Sequence, residues 1–212
     1  MKTIVSALTL FLALQLCVYG TPQEEVDRSA TIVREFRHMP EKAIPRSVLR
    51  NARGLAIMRV AKGGFIFSGK AGTGVVVART GNGWSGPSFI ATGGAGWGAQ
   101  IGGQVTDFVF VLNDAAAVRA FSRGGNVTLG GELSAAAGPV GRDAQVAVAP
   151  TAAVYTYSRS KGLFAGASLE GAVLVTRDNV NNEYYGRPVT AAQILNGHAK
   201  APRGAARLRA SL

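Results

Sequence analysis

Cysteine is nearly absent from this 212-residue chain: Cys17 is the single one. That count excludes disulfide staples, thiolate zinc sites and dithiol redox chemistry. Histidine is almost as scarce, with only His38 and His198. Both fall in polar surroundings, at the end of a helical pattern and in the C-terminal tail. Acidic residues are few, 12 against 23 lysines and arginines, for a formal net charge of +11. The acids Asp107, Asp114, Glu132, Asp143, Glu170 and Asp178 stand singly, with no His/Asp/Glu cluster at metal-ligand or proton-shuttle spacing. An enzyme is therefore not expected, and no metal or cofactor. Asp107 and Glu170 lie in apolar strand patterns and read as buried structural acids. Collagen is excluded because the 28 glycines follow no triplet period.

What remains is a chain with 47% hydrophobic residues, long enough for one domain with its own core. Residues 1–20 read as a secretory signal peptide: Lys2 precedes the apolar run Ile4–Leu16, and Val18-Tyr19-Gly20 supplies a cleavage site. The run is short for a bilayer span. Bulky Leu16 before Cys17 argues against a lipoprotein. A secreted or periplasmic, cell-envelope location follows from this reading, with peripheral membrane association. Residues 21–197 form the expected domain, and 198–212 a basic, disordered tail.

The charge is clustered. No acid occurs between Glu41 and Asp107, while that stretch holds Lys42, Arg46, Arg50, Arg53, Arg59, Lys62, Lys70 and Arg79. The chain after Glu183 is again acid-free and carries Arg187, Lys200, Arg203, Arg207 and Arg209. A field of one sign attracts anionic surfaces.

Thr21-Pro22-Gln23-Glu24 is a capping box with proline at the first helical position. Val26, Ala30, Val33 and Phe36 then recur at helical spacing, so an amphipathic helix runs to Met39-Pro40. A short helix from Pro45 to Gly54 puts Arg46, Arg50 and Arg53 on one face and Val48, Leu49 and Ala52 on the other. That pattern suits a membrane surface and equally a helix lying on its own core. From Leu55 the period becomes 2. Strands are expected at 55–61, 65–79, 85–92, 104–112, 127–137, 145–158 and 163–177. Asn82-Gly83 marks a hairpin, and Pro139-Val140-Gly141 and Asp178-Asn179 mark turns. Asp114 caps a helix Ala115–Arg123, and Thr190–Gln193 is a second capping box closed by Gly197. An echo at an offset of 97 relates Phe67-Ser68-Gly69 to Phe164-Ala165-Gly166. Glycine strips (Gly72, Gly74; Gly94, Gly96, Gly98) fit a tightly curved sheet or small barrel. The fold class is α+β, predominantly antiparallel β, with a curved or barrel-like core, an N-terminal amphipathic helix and short flanking helices.

Two phosphate-binding look-alikes fail. Gly64 to Ala71 has alanine where a P-loop needs the hydroxyl that ligates Mg²⁺. Gly94-x-Gly96-x-x-Ala99 has no following helix.

Several segments are familiar in combination: Ile44–Leu49 running into Asn51–Ile57, Gly64–Gly72, Trp84–Ser88, Thr106–Val109, Leu129–Gly131, Ala137–Pro139 and Ser158–Gly166. In this order they resemble the SYLF domain, a lipid-binding module that yeast actin-patch proteins also use to bind actin filaments. The resemblance covers roughly residues 24–197. It implies non-enzymatic binding of anionic, phosphoinositide-type phospholipid through the first helix and nearby cations. By position and charge, the candidate contacts are Arg46, Arg50, Arg53, Lys62 and Lys70, with Val33 and Phe36 inserting shallowly. Actin binding and a structural or protein-interaction role in the envelope are the alternatives. Nucleic acid is not an expected partner, for want of a basic-plus-aromatic motif.

Overall fold

The computed structural model describes residues 20–39, 43–64, 67–97, 102–129, 133–139, 152–162 and 172–212. The apolar run Ile4–Leu16, Cys17, Pro40, the 164–166 half of the internal echo, the Val140-Gly141 turn, Glu132, Asp143 and Glu170 lie outside them.

Helix α1 (Pro22–His38) begins as its sequence dictates. Thr21 accepts from the Glu24 amide and Glu24 from the Thr21 amide, and proline occupies the first turn. Helix α2 is short, Arg46–Asn51, capped by Pro45 without a side-chain bond. Four long strands follow: β1 (Gly54–Gly64), β2 (Phe67–Thr80), β4 (Ser88–Trp97) and β5 (Gly102–Leu112), with the two-residue β3 (Gly83–Trp84) closing the Asn82-Gly83 hairpin on β2. Gly83 takes φ +98°, which the tight turn requires and glycine supplies without strain.

Next come α3 (Ala115–Ser122), β6 (Asn126–Thr128), β7 (Ala135–Ala137), β8 (Val154–Gly162) and β9 (Val173–Thr176). The chain ends in α4 (Asp178–Tyr185), α5 (Ala191–Leu195), a 3-10 turn (Arg203–Ala205) and α6 (Ala206–Ser211). Both remaining caps form as expected: Asp114 accepts from the Ala117 amide, and Thr190 and Gln193 cap each other reciprocally.

The nine strands make one sheet in the order β6-β9-β4-β2-β1-β5-β8-β7, with β3 beside β2. Every pair is antiparallel except β7–β8. Register is unbroken along β1, from Gly54↔Ala78 to Gly64↔Ser68 on one side and Gly54↔Leu112 to Gly64↔Gly102 on the other. The sheet curls until its two edges approach, and a bridge joins Leu129 after β6 to Leu133 before β7. Glycine permits the curvature. At Gly74 a Cβ would overlap the Ile57 carbonyl oxygen of β1, so the backbones approach as the glycine strip implied.

Curling separates two cores. The inner one joins Met58, Phe108 and Phe110 of the middle strands to Val127, Leu129 and Leu133 at the edges, a grouping that only a concave face allows. Ala117 and Phe121 of α3 and Ile194 and Leu195 of α5 belong to it and plug one end of the barrel. The outer core lies under α1, α2, α4 and α6. It gathers Val26, Val33, Phe36, Val48, Leu49, Val180 and Leu208 over Leu55, Ile57, Val75 and Val109 of the sheet.

The expected α+β, mainly antiparallel, barrel-like class is the fold observed. Three local expectations give way. The strand expected at 127–137 is two short strands on opposite edges of the sheet. Asp178-Asn179 opens helix α4 instead of a turn. The C-terminal tail is ordered. Leu208 is 0% exposed, and Arg207 reaches Asp27 while the Gly204 carbonyl accepts from Gln23, both on α1.

Candidate functional site: the arginine end of the barrel

Helix α2 and the β2–β3 hairpin meet at the plugged end. The six-residue α2 leaves carbonyls unsatisfied at its C-terminus, and a guanidinium supplies the missing donors. Arg79 donates to the Ala52 oxygen (3.2 Å) and the Leu49 oxygen (3.3 Å). Its cation lies 4.5 Å from the centre of the Trp84 ring, across the hairpin in direct register. Backbone bonds seal the corner, from the Arg53 amide to Leu112 and from the Arg79 amide to Arg53. Arg209 of α6 donates to the Trp84 oxygen at 2.9 Å. Around this frame Arg46, Arg50, Arg53 and Arg209 are exposed. Among the described residues none of these arginines, Arg79 included, has a carboxylate partner.

The candidate residues do not form one patch. Arg46 and Arg50 share the exposed face of α2, with Val48 and Leu49 buried beneath, and Arg53 follows at its foot. Lys62 and Lys70 pair with each other at the opposite end of β1 and β2. Nine residue steps of extended chain carry Arg53 to Lys62, a span of about 30 Å. Val33 and Phe36 are each 1% exposed, because the apolar stripe of α1 is spent on the outer core. They are not available for shallow insertion, and that expectation is corrected. Arg79, Trp84 and Arg209 were missed. The hairpin sets Arg79 opposite Trp84 because Gly81-Asn82 forms its tip and Thr80 pairs with Gly83, one residue earlier than an Asn82-Gly83 loop would give; nothing in the tail's sequence points Arg209 there.

Beneath α1 a second ionic group has a structural role. Asp107, 3% exposed, accepts Arg59 through both oxygens (2.7 and 3.0 Å) and Arg159 at 2.9 Å; Arg159 also pairs with Glu35 of α1. Nearer the start of α1, Arg177 holds Glu25 at 2.8 and 3.0 Å. Burial still raises the Glu25 pKa above the usual carboxylate range, with Arg177 opposing. Among the described residues no three His, Cys, Asp or Glu side chains are placed to hold a metal ion. No described helix is long and apolar enough to cross a membrane.

Residues 93–212, more than half the chain, match the family described as "Ysc84: Las17-binding protein actin regulator". The chain is 46% identical over 193 residues to Protein YSC84 of Saccharomyces cerevisiae, covering 86% of this chain and 41% of that protein. It is 50% identical over 167 residues to LAS seventeen-binding protein 3 of the same yeast (76% and 36%). It is 46% identical over 188 residues to human SH3 domain-containing YSC84-like protein 1 (85% and 55%). The chain belongs to the Ysc84 family, the SYLF-domain family its motifs resemble. It spans between about a third and just over half the length of these relatives. They correct the expected location. An actin regulator and SH3 domain-containing proteins of yeast and human point to the cell interior, not to secretion or a periplasmic envelope.

Proposed function

We propose that this domain is a non-catalytic binding module of actin-regulating assemblies, and that its arginine end is the surface it lays on an acidic partner, the actin filament. The observation that carries the reading is the cluster Arg46, Arg50, Arg53, Arg79 and Arg209, exposed or anchored at one end without neutralising carboxylates among the described residues. The family description, an actin regulator, supplies the partner. The test is co-sedimentation with actin filaments across a salt series. Binding should weaken as salt screens the arginines. Replacing Arg46, Arg50 and Arg53 together by glutamate should weaken it roughly tenfold or more, at about 0.2–1 kcal/mol per lost contact plus the new repulsion. Equal pelleting of wild type and triple variant refutes the assignment of this surface.

The same arginines support a second reading, contact with anionic phospholipid, at on the order of 1 kcal/mol per cation near a charged bilayer. Since Val33 and Phe36 face the core, this contact is electrostatic and not insertive. Vesicles of phosphatidylcholine with and without a phosphoinositide, run beside the filaments, separate the two readings. Equal binding to both vesicles, or to neither, counts against the lipid.

A further inference from the structure

Four contacts close a circuit at the arginine end, through α1, α6, the β2–β3 hairpin and α2. Arg37, in the last turn of α1, donates to the Ser211 oxygen at the end of α6 (2.8 Å). Arg209 of α6 donates to the Trp84 oxygen in the hairpin. Arg79, opposite Trp84, donates to the Leu49 and Ala52 oxygens at the end of α2. The Ile44 amide ahead of α2 completes the circuit on the Phe36 oxygen of α1 (3.1 Å). All of these links but the last are guanidinium groups on main-chain oxygens. The cations are therefore held in place before any partner arrives, and they lose little freedom on meeting one. Arg37, Arg79 and Arg209 are nevertheless exposed, and among the described residues none of them meets a carboxylate.

The same circuit carries apolar surface. Met39 follows α1, Trp84 sits in the hairpin and Leu212 follows α6; each is half-buried and packs against the outer core. Each also adjoins a link: Met39 closely follows Arg37, Leu212 is next to Ser211, and Trp84 supplies the acceptor for Arg209. A surface that attracts only mobile counter-ions needs no such side chains. Partly exposed methionine and aromatic side chains among fixed arginines are the composition of a protein-binding centre.

We infer that this circuit is one docking surface, and that its occupant is an acidic protein segment carrying an apolar anchor. The anchor seats at Met39, Trp84 and Leu212, and the acids flanking it accept from Arg37, Arg79 and Arg209, whose guanidinium groups still have N–H donors to spare. Charge complementarity selects the acidic segment, and the apolar side chains select a protein over a bare polyanion. The inference rests on the reading of the arginine end as the filament-binding surface. It goes beyond that reading in naming what the partner must present there.

Two probes test it on the full chain: actin filaments in co-sedimentation across a salt series, and a pair of glutamate-rich peptides, one with a central leucine and one without. Met39→Gln with Leu212→Gln should weaken filament binding roughly tenfold at every salt concentration and leave its salt dependence unchanged, because no charge is lost. Arg37→Gln should flatten the salt dependence, and Met39→Leu should bind as wild type does. The leucine peptide should bind wild type roughly tenfold more tightly than its all-polar counterpart, a comparison that stands even where the double variant does not fold. Filaments that fail to pellet wild type at any salt would sink the filament reading alone, and the peptides would then decide the docking surface. The inference is overturned if the double variant binds filaments as wild type does, or if the two peptides bind equally. Binding to phosphoinositide vesicles that is lost in the double variant overturns it too, since the occupant is then a bilayer. A countercharge from Glu41, which lies outside the described residues, would leave the salt dependence of Arg37→Gln unchanged and overturn it equally.

Discussion

Substituting Asp107 by asparagine tests what holds α1 on the barrel. The row Arg59–Asp107–Arg159 crosses β1, β5 and β8 in direct register, and Asp107 is its centre. Asparagine keeps the shape but removes the charge that two guanidinium groups share, leaving Glu35 as the carboxylate paired with Arg159. Breaking a buried ion pair from one side costs about 3–5 kcal/mol, because the surviving charge stays desolvated. Here Arg59 and Arg159 retain 28% and 19% exposure, which water uses to soften the penalty. The lower end, about 3 kcal/mol, is the expectation. At about 2–4 °C per kcal/mol for a chain of this size, the midpoint falls by roughly 6–12 °C. Thermal and urea unfolding followed by circular dichroism measure it. A triple variant, Asp107→Leu with Arg59→Met and Arg159→Met, should recover most of the loss, since well-packed apolar side chains replace a buried ionic cluster at little cost. A loss under about 1 kcal/mol for Asp107→Asn, or a triple variant no better than the single one, would refute the claim that the charge and its pairing hold this layer.

Two further outcomes follow from the same layer. Leu208→Ala, in the helix that replaces the expected disordered tail, should cost about 2–5 kcal/mol in urea unfolding; a change within experimental error would mean that α6 contributes nothing to the fold. Glu25 carries a raised folded-state pKa, so protonation favours the folded chain. That contribution is fully present below the ordinary glutamate value and lost as pH rises through the folded pKa. Melting wild type and Glu25→Gln from pH 3 upward should therefore show the wild type gaining on the variant as pH falls through this window. A gap that widens in the opposite sense contradicts the burial argument.

The parts of this fold set by local chemistry were legible. Thr21, Asp114 and Thr190 announce their helices because a cap needs only its own turn. Asn82-Gly83 announces its hairpin for the same reason. Where distance along the chain stands in for distance in space, the reading fails. Arg53 and Lys62 are close in sequence, but an extended strand carries them to opposite ends of the barrel. The stripe Val33–Phe36 shows that α1 buries one face, and periodicity alone does not say whether sheet or bilayer covers it. Helix α4 hides behind Asp178 and Asn179, good turn formers. Its position rests on tertiary bonds, with Asn181 accepting from the Phe89 amide and offering its amide to Ser88. In the tail, Ala205 and Leu208 are too sparse an apolar pattern to announce α6, whose order comes from α1 beneath it.

The bridge between Leu129 and Leu133 has a consequence for how this domain meets other proteins. Open sheets recruit visitors by lending their outermost rungs to an incoming strand. Here both margins are three-residue strands drawn toward each other, while β4 beyond Thr92 and β8 beyond Thr156 have no strand partner on that side among the described residues. A visiting strand would therefore find its rungs on those longer inner strands and not on the short margins.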